Sequence, residues 1–155
     1  MTYRIEGLNP QQFNALFAMD DEALALINAR RVTAGGDKGW PCRVTLEDAK
    51  AGESLVLLHH VSHDVASPYR SAYAIYVREA ATAPATFVDE TPPVFEGRPM
   101  AFRAFGEDGM LLTAALALPG QADARIRELL ADERIAYIHA HNAAHGCFSA
   151  RIDRH

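Results

Sequence analysis

Near the end of the chain, two runs of alternating apolar and polar residues flank a five-residue segment, 142–146. No other feature restricts the fold as much. Side chains alternate between the two faces of a strand. In residues 135–141, Ala136, Ile138 and Ala140 share one face, and Tyr137, His139 and His141 share the other. In residues 147–153, Phe148, Ala150 and Ile152 share one face, and Cys147, Ser149 and Arg151 the other. Burial selects the register that joins the two apolar sets. Placing His141 opposite Cys147 does this and leaves a turn of permitted hairpin length. The expectation is an antiparallel hairpin with one packed face. Its other face would carry Tyr137, His139, His141, Cys147, Ser149 and Arg151.

The remaining segments agree with such a sheet. Residues 54–61 form an apolar run, and 72–79 alternate around Tyr73, Ile75 and Val77. Residues 100–105 and 110–118 read as a second hairpin around Glu107-Asp108-Gly109. Residues 2–6 and 42–46 read as short strands, and 80–93 as irregular. Helices are expected from Asn9-Pro10, with Phe13, Leu16 and Phe17 inward, and after Asp20 or Asp21, carrying Leu24, Leu26 and Ile27. A further helix at 122–131 turns Ile126, Leu129 and Leu130 inward. These elements predict an α+β fold, a mostly antiparallel sheet packed with a few helices, in a single compact domain over residues 1–155.

The net charge of −5 and the lack of any basic run longer than Arg30-Arg31 argue against nucleic-acid binding, which needs a positive stripe. Lys38 and Lys50 are the only lysines among 15 basic residues, so arginine is the default cation and a single arginine is weak evidence for a site. No apolar run approaches bilayer length and the start does not read as a signal peptide, so a cytoplasmic protein without a membrane partner is expected. In that compartment Cys42 and Cys147 are expected as free thiols.

The polar face of the last hairpin supports several chemistries. A thiol beside an imidazole becomes a nucleophile, which nominates Cys147 and His141 as a catalytic pair. Arginines clamp carboxylates or phosphates, which nominates Arg43, Arg78 and Arg151. Tyr69 would wall the pocket, and His139 and Asn142 would supply polar contacts. Each has a plain alternative: a buried apolar thiol, a paired arginine, a solvated histidine. No metal is expected, because no Cys-x-x-Cys or His-Glu-x-x-His spacing occurs, and no cofactor, because no nucleotide fingerprint occurs.

Three stretches together resemble a known family. They are Gly39-Trp40-Pro41-Cys42-Arg43-Val44, Ser67-Pro68-Tyr69-Arg70 leading into Ile75-Tyr76-Val77-Arg78-Glu79, and His139-Ala140-His141-Asn142 with Gly146-Cys147-Phe148-Ser149-Ala150-Arg151. In order and spacing this set is similar to the DUF1203 family, small bacterial proteins of unassigned function. The resemblance implies that Pro41-Cys42-Arg43, Ser67-Pro68-Tyr69, Arg78-Glu79, His141-Asn142 and Gly146-Cys147 belong to family motifs. It transfers no activity. Three readings follow, the first with the most weight and the other two equal. The first is binding of a small anionic molecule in an Arg/His/Cys-lined pocket. The second is a Cys/His-dependent enzyme, and the third a structural or partner-binding protein, such as a homodimer joined through an exposed sheet edge or face.

Overall fold

The computed structural model describes residues 1–155. In chain order, β1 (Tyr3–Glu6) leads through a 3-10 turn, Pro10–Phe13, into helices α1 (Asn14–Phe17) and α2 (Asp21–Leu26) and then β2 (Arg30–Thr33). Strands β3 (Ser54–His63), β4 (Ser71–Arg78) and β5 (Thr86–Val88) follow. The last third comprises β6 (Met100–Phe105), β7 (Leu111–Ala117), α3 (Ala122–Leu130), β8 (Tyr137–Asn142) and β9 (Phe148–Arg154). The architecture is α+β, with one six-stranded sheet ordered β5-β1-β9-β8-β6-β7 and one three-stranded sheet ordered β2-β3-β4. Every strand pairing within the two sheets is antiparallel. No helix is long and apolar enough to cross a membrane.

The helix starts follow their caps. Asn9 accepts from the Gln11 amide at 3.0 Å and Asp20 from the Ala23 amide at 2.8 Å. Of the apolar residues assigned to α2, only Leu24 is buried, whereas Leu26 and Ile27 stand exposed. The helix ends at Leu26, and Asn28 takes a positive φ of 56° as the chain turns into β2. Neither β2 nor β5 is legible locally, since both are short and held by partners across their sheets. Residues 42–46 form no strand. They fold into a tight turn, with the Leu46 amide donating to the Cys42 carbonyl at 3.0 Å and the Cys42 amide to that of Glu47 at 3.0 Å. An isolated bridge between Pro41 and Asp48 closes this segment on itself, and another between Cys42 and Tyr76 ties it to the three-stranded sheet.

The main core lies on one face of the larger sheet. Ile5, Phe102, Ile138, Ala140, Ala150 and Ile152 meet Ile126, Leu129 and Leu130 of α3. Burying each larger aliphatic or aromatic side chain contributes ~1.5–3 kcal/mol. The opposite face carries Phe105, Tyr137, His139, His141 and Phe148. The end of β3 leans on it, with the His63 ring 4.1 Å from that of Phe105 and 5.0 Å from that of His139. The smaller sheet buries its own face, with Ile75 and Val77 against Phe13 and with Val56 against Leu24.

The β8–β9 hairpin departs from the expected register. His139 pairs with Arg151 and Ala140 with Ala150, two residues along from expectation, which preserves the faces. The ladder then shifts so that His141 pairs with Phe148, leaving Ser149 as the extra residue of a bulge. The bulge turns Phe148 away from the apolar set and onto the histidine face. Its ring lies 5.0 Å from that of His139 and 5.9 Å from that of His141. Cys147 and Ser149 leave that face.

Candidate functional site

The turn at residues 40–49 carries Arg43. The Asp48 carboxylate accepts from the Trp40 amide at 3.0 Å and from Arg98 at 2.8 Å, closing the turn from below. The Cys42 sulfur accepts weakly from the amides of Val44, Thr45 and Arg78, so this thiol serves as a local cap. Outside the turn, the Leu8 amide binds the Arg43 carbonyl and the Ala85 amide binds that of Val44. A Cβ on Gly7 would overlap the Val44 carbonyl, so the close approach of β1's end to this turn requires glycine.

From this anchored backbone the Arg43 side chain crosses to β9. Its Nε donates to the Phe148 carbonyl at 2.7 Å and its Nη1 to the Pro41 carbonyl. The residue is 2% exposed. All ion pairs of the protein are made by other cations, so no carboxylate balances this guanidinium. Burial lowers its pKa, with the nearby Cys147 acting in the opposite direction. Arginine keeps its proton in proteins even so. A buried cation without a counter-charge is costly, and natural cores rarely retain one.

Arg43 opens onto a cavity of about 430 Å³ between the smaller sheet and the β8–β9 turn. Leu57, Tyr76 and Pro99 give it apolar walls, and Arg98, Asn142, His145 and Cys147 supply further polar groups. Asn142 donates from Nδ2 to the Cys147 sulfur at 3.2 Å, while its buried Oδ1 has no partner. No Asp or Glu lines the cavity. Both cysteines are free thiols, Cys42 buried and Cys147 half-buried.

The other nominated residues lie elsewhere. His141 lines a second hollow with Phe148, whereas Cys147 lines the first, and no hydrogen bond joins the two side chains. The expected Cys147–His141 pair is therefore not assembled. Arg78 is held by Glu53 at 2.8 Å and Glu47 at 2.6 Å. Arg151 pairs with Asp153 at 2.8 Å and lies 4.0 Å over the Tyr137 ring. Tyr69 offers its carbonyl to His63 Nδ1 at 2.8 Å, outside both cavities.

His139 is buried among rings, its Nδ1 unpartnered. Burial first, then the charges of His63 and His141, lower its pKa to about 3. Burial likewise lowers His141 to about 4, against the hydrogen bond its Nδ1 donates to the Gly146 carbonyl at 2.9 Å. No three His, Cys, Asp or Glu side chains converge as a metal-binding group.

Sequence reasoning does not reach Arg98 or Arg103, the latter lining the second hollow. Arg103 does carry a signal, as a lone cation inside the apolar strand Met-Ala-Phe-Arg-Ala-Phe with no acid beside it. Arg98, next to Pro99 in a loop, carries none.

No curated protein and no solved structure matches the chain. One family does match, described as a protein of unknown function (DUF1203), over residues 39–154. That span begins at the glycine before the Arg43 turn and contains every residue lining both cavities. The chain belongs to the DUF1203 family.

Proposed function

We propose that this protein binds a small anionic molecule in the Arg43 cavity. One observation carries the reading: a guanidinium almost wholly withdrawn from water, lacking any carboxylate partner, opens onto an acid-free cavity in a chain whose net charge is −5. A bound carboxylate or phosphate would supply the missing counter-charge through charge-assisted hydrogen bonds. Asn142 would complement it, its unpartnered Oδ1 accepting from a hydroxyl or amide of the ligand. The apolar walls would take the ligand's carbon skeleton. Cys147 lines this site as a contact residue.

The test is thermal unfolding against added inorganic phosphate or butyrate at constant ionic strength. The midpoint should rise with anion for the wild type and stay flat for Arg43→Met. Equal rises in both would defeat the proposal. Asn142→Asp, which adds a negative charge to the site, should also weaken the response.

Self-association is a second reading, favoured by β7. This strand forms one edge of the larger sheet, has no charged residue, and exposes Leu112 and Leu116. Natural edges normally carry charge or proline to prevent pairing. An antiparallel β7–β7 contact between two copies would join their sheets. Light scattering would then give a dimer mass for the wild type and a monomer mass for Leu116→Lys, and a monomeric wild type would rule the contact out.

A further inference from the structure

The second hollow, about 380 Å³, adjoins the Arg43 cavity and shares Tyr73 and His145 with it. It too is lined by no Asp or Glu. Arg103 lies in it, half-buried, on the same sheet face as its cross-strand neighbour His139. No ion pair engages Arg103, although eleven are formed elsewhere. Arg70, at the other side of the hollow, is already held by Asp64 at 3.0 Å. The two cavities thus form one trough, with an uncompensated guanidinium in each half and Tyr73 and His145 between them. His141 lines the second hollow beside Arg103, and the charges of Arg103 and Arg43 add to burial in lowering its pKa.

We infer that the ligand carries two anionic groups, one held by Arg43 and the other by Arg103, joined by a short skeleton passing Tyr73 and His145. This rests on the anion-binding reading above and adds the ligand's chemical class, a dicarboxylate or a phosphocarboxylate. A monoanion would balance one guanidinium and leave the other bare. Arg103 would then be a specificity-determining residue, selecting dianions over monoanions of equal length.

Calorimetric titration at fixed ionic strength separates the two claims. The probes are butyrate, succinate, glutarate, adipate and 3-phosphonopropionate. The best dianion should bind at least about tenfold tighter than butyrate, the difference a second charged hydrogen-bonded pair supplies. The phosphonate arm distinguishes a phosphorus-bearing end from a second carboxylate. Arg103→Met should abolish the dianion advantage, bringing the best dianion down to the affinity that variant has for butyrate, and Arg103→Lys should restore part of it. Dianions no tighter than butyrate, or an advantage that survives Arg103→Met, would overturn the inference while leaving single-anion binding standing. Absence of binding by every probe would overturn both. Melting curves of the variants confirm that each is folded.

Discussion

Strands β8 and β9 present two faces to the interior, built on opposite terms. On the α3 side, Ile138, Ala140, Ala150 and Ile152 join a continuous apolar core. On the other side the same strands carry His139, His141 and Phe148, with Arg43 hydrogen-bonded to the β9 backbone. Two polar atoms beside these strands, His139 Nδ1 and Asn142 Oδ1, lack partners. Stability alone would have filled this face with aliphatic residues. Groups that cost folding energy persist where a site uses them. The contrast supports the proposal that α3's side holds the fold while the trough side binds.

The largest effect expected is on the packed face. Ile138→Ala should lower unfolding free energy by about 2–5 kcal/mol in urea melts, leaving anion binding intact. A loss well below this range would break the contrast between the faces.

Between pH 7 and 5, acid should act chiefly through buried histidines. His139 and His141 are held below the ordinary 6.5, at about 3 and about 4, chiefly by burial. From pH 6.5 downward the unfolded chain takes up protons at these positions that the native rings refuse. Stability present above pH 6.5 is then lost on acidification, by about 2 kcal/mol per ring at pH 5. Replacing His139 by Phe should remove its share of that pH dependence, read from denaturant melts at pH 5 and 7.

A smaller effect concerns the bond between the two sheets. His63 donates from Nδ1 to a carbonyl, so its Nε2 accepts from the Tyr137 hydroxyl at 2.7 Å. Tyr137→Phe leaves that nitrogen unpartnered and should cost about 1–3 kcal/mol. The smallest change is Cys147→Ser, which keeps an acceptor for Asn142 and should shift stability by less than about 1 kcal/mol. Retained anion binding in that variant would mark the thiol as a contact and nothing more.

The amino-acid order carries part of this division between faces. Alternation alone separates Ile138, Ala140, Ala150 and Ile152 from Tyr137, His139 and Arg151, and a two-residue change of register leaves that division intact. The bulge at Ser149 is not legible, because inserting one residue changes the faces without altering composition. It moves Cys147 to Asn142 and Phe148 to the histidines, dissolving the expected Cys147–His141 pair. Arg43 stands out from its glycine-loop context, and the fold gives it the buried position. Arg78 and Arg151 look equivalent to it in sequence, but Glu53, Glu47 and Asp153 neutralise them. Only tertiary contacts decide which arginine lacks an acid. The tight turn at 42–46 reads as a strand because Cys42, Val44 and Leu46 alternate, yet Cys42 and Val44 are buried in one cluster and Leu46 in another.

The central claim is that Arg43 is an uncompensated buried cation whose counter-charge is a ligand. Native mass spectrometry of the untagged protein with added adipate, wild type beside Arg43→Met, tests it most directly. The account predicts a single non-covalent adduct on the wild type, lost on denaturation and absent from the variant. Equal occupancy of the two proteins, or a wild type that takes up no adipate, would contradict it.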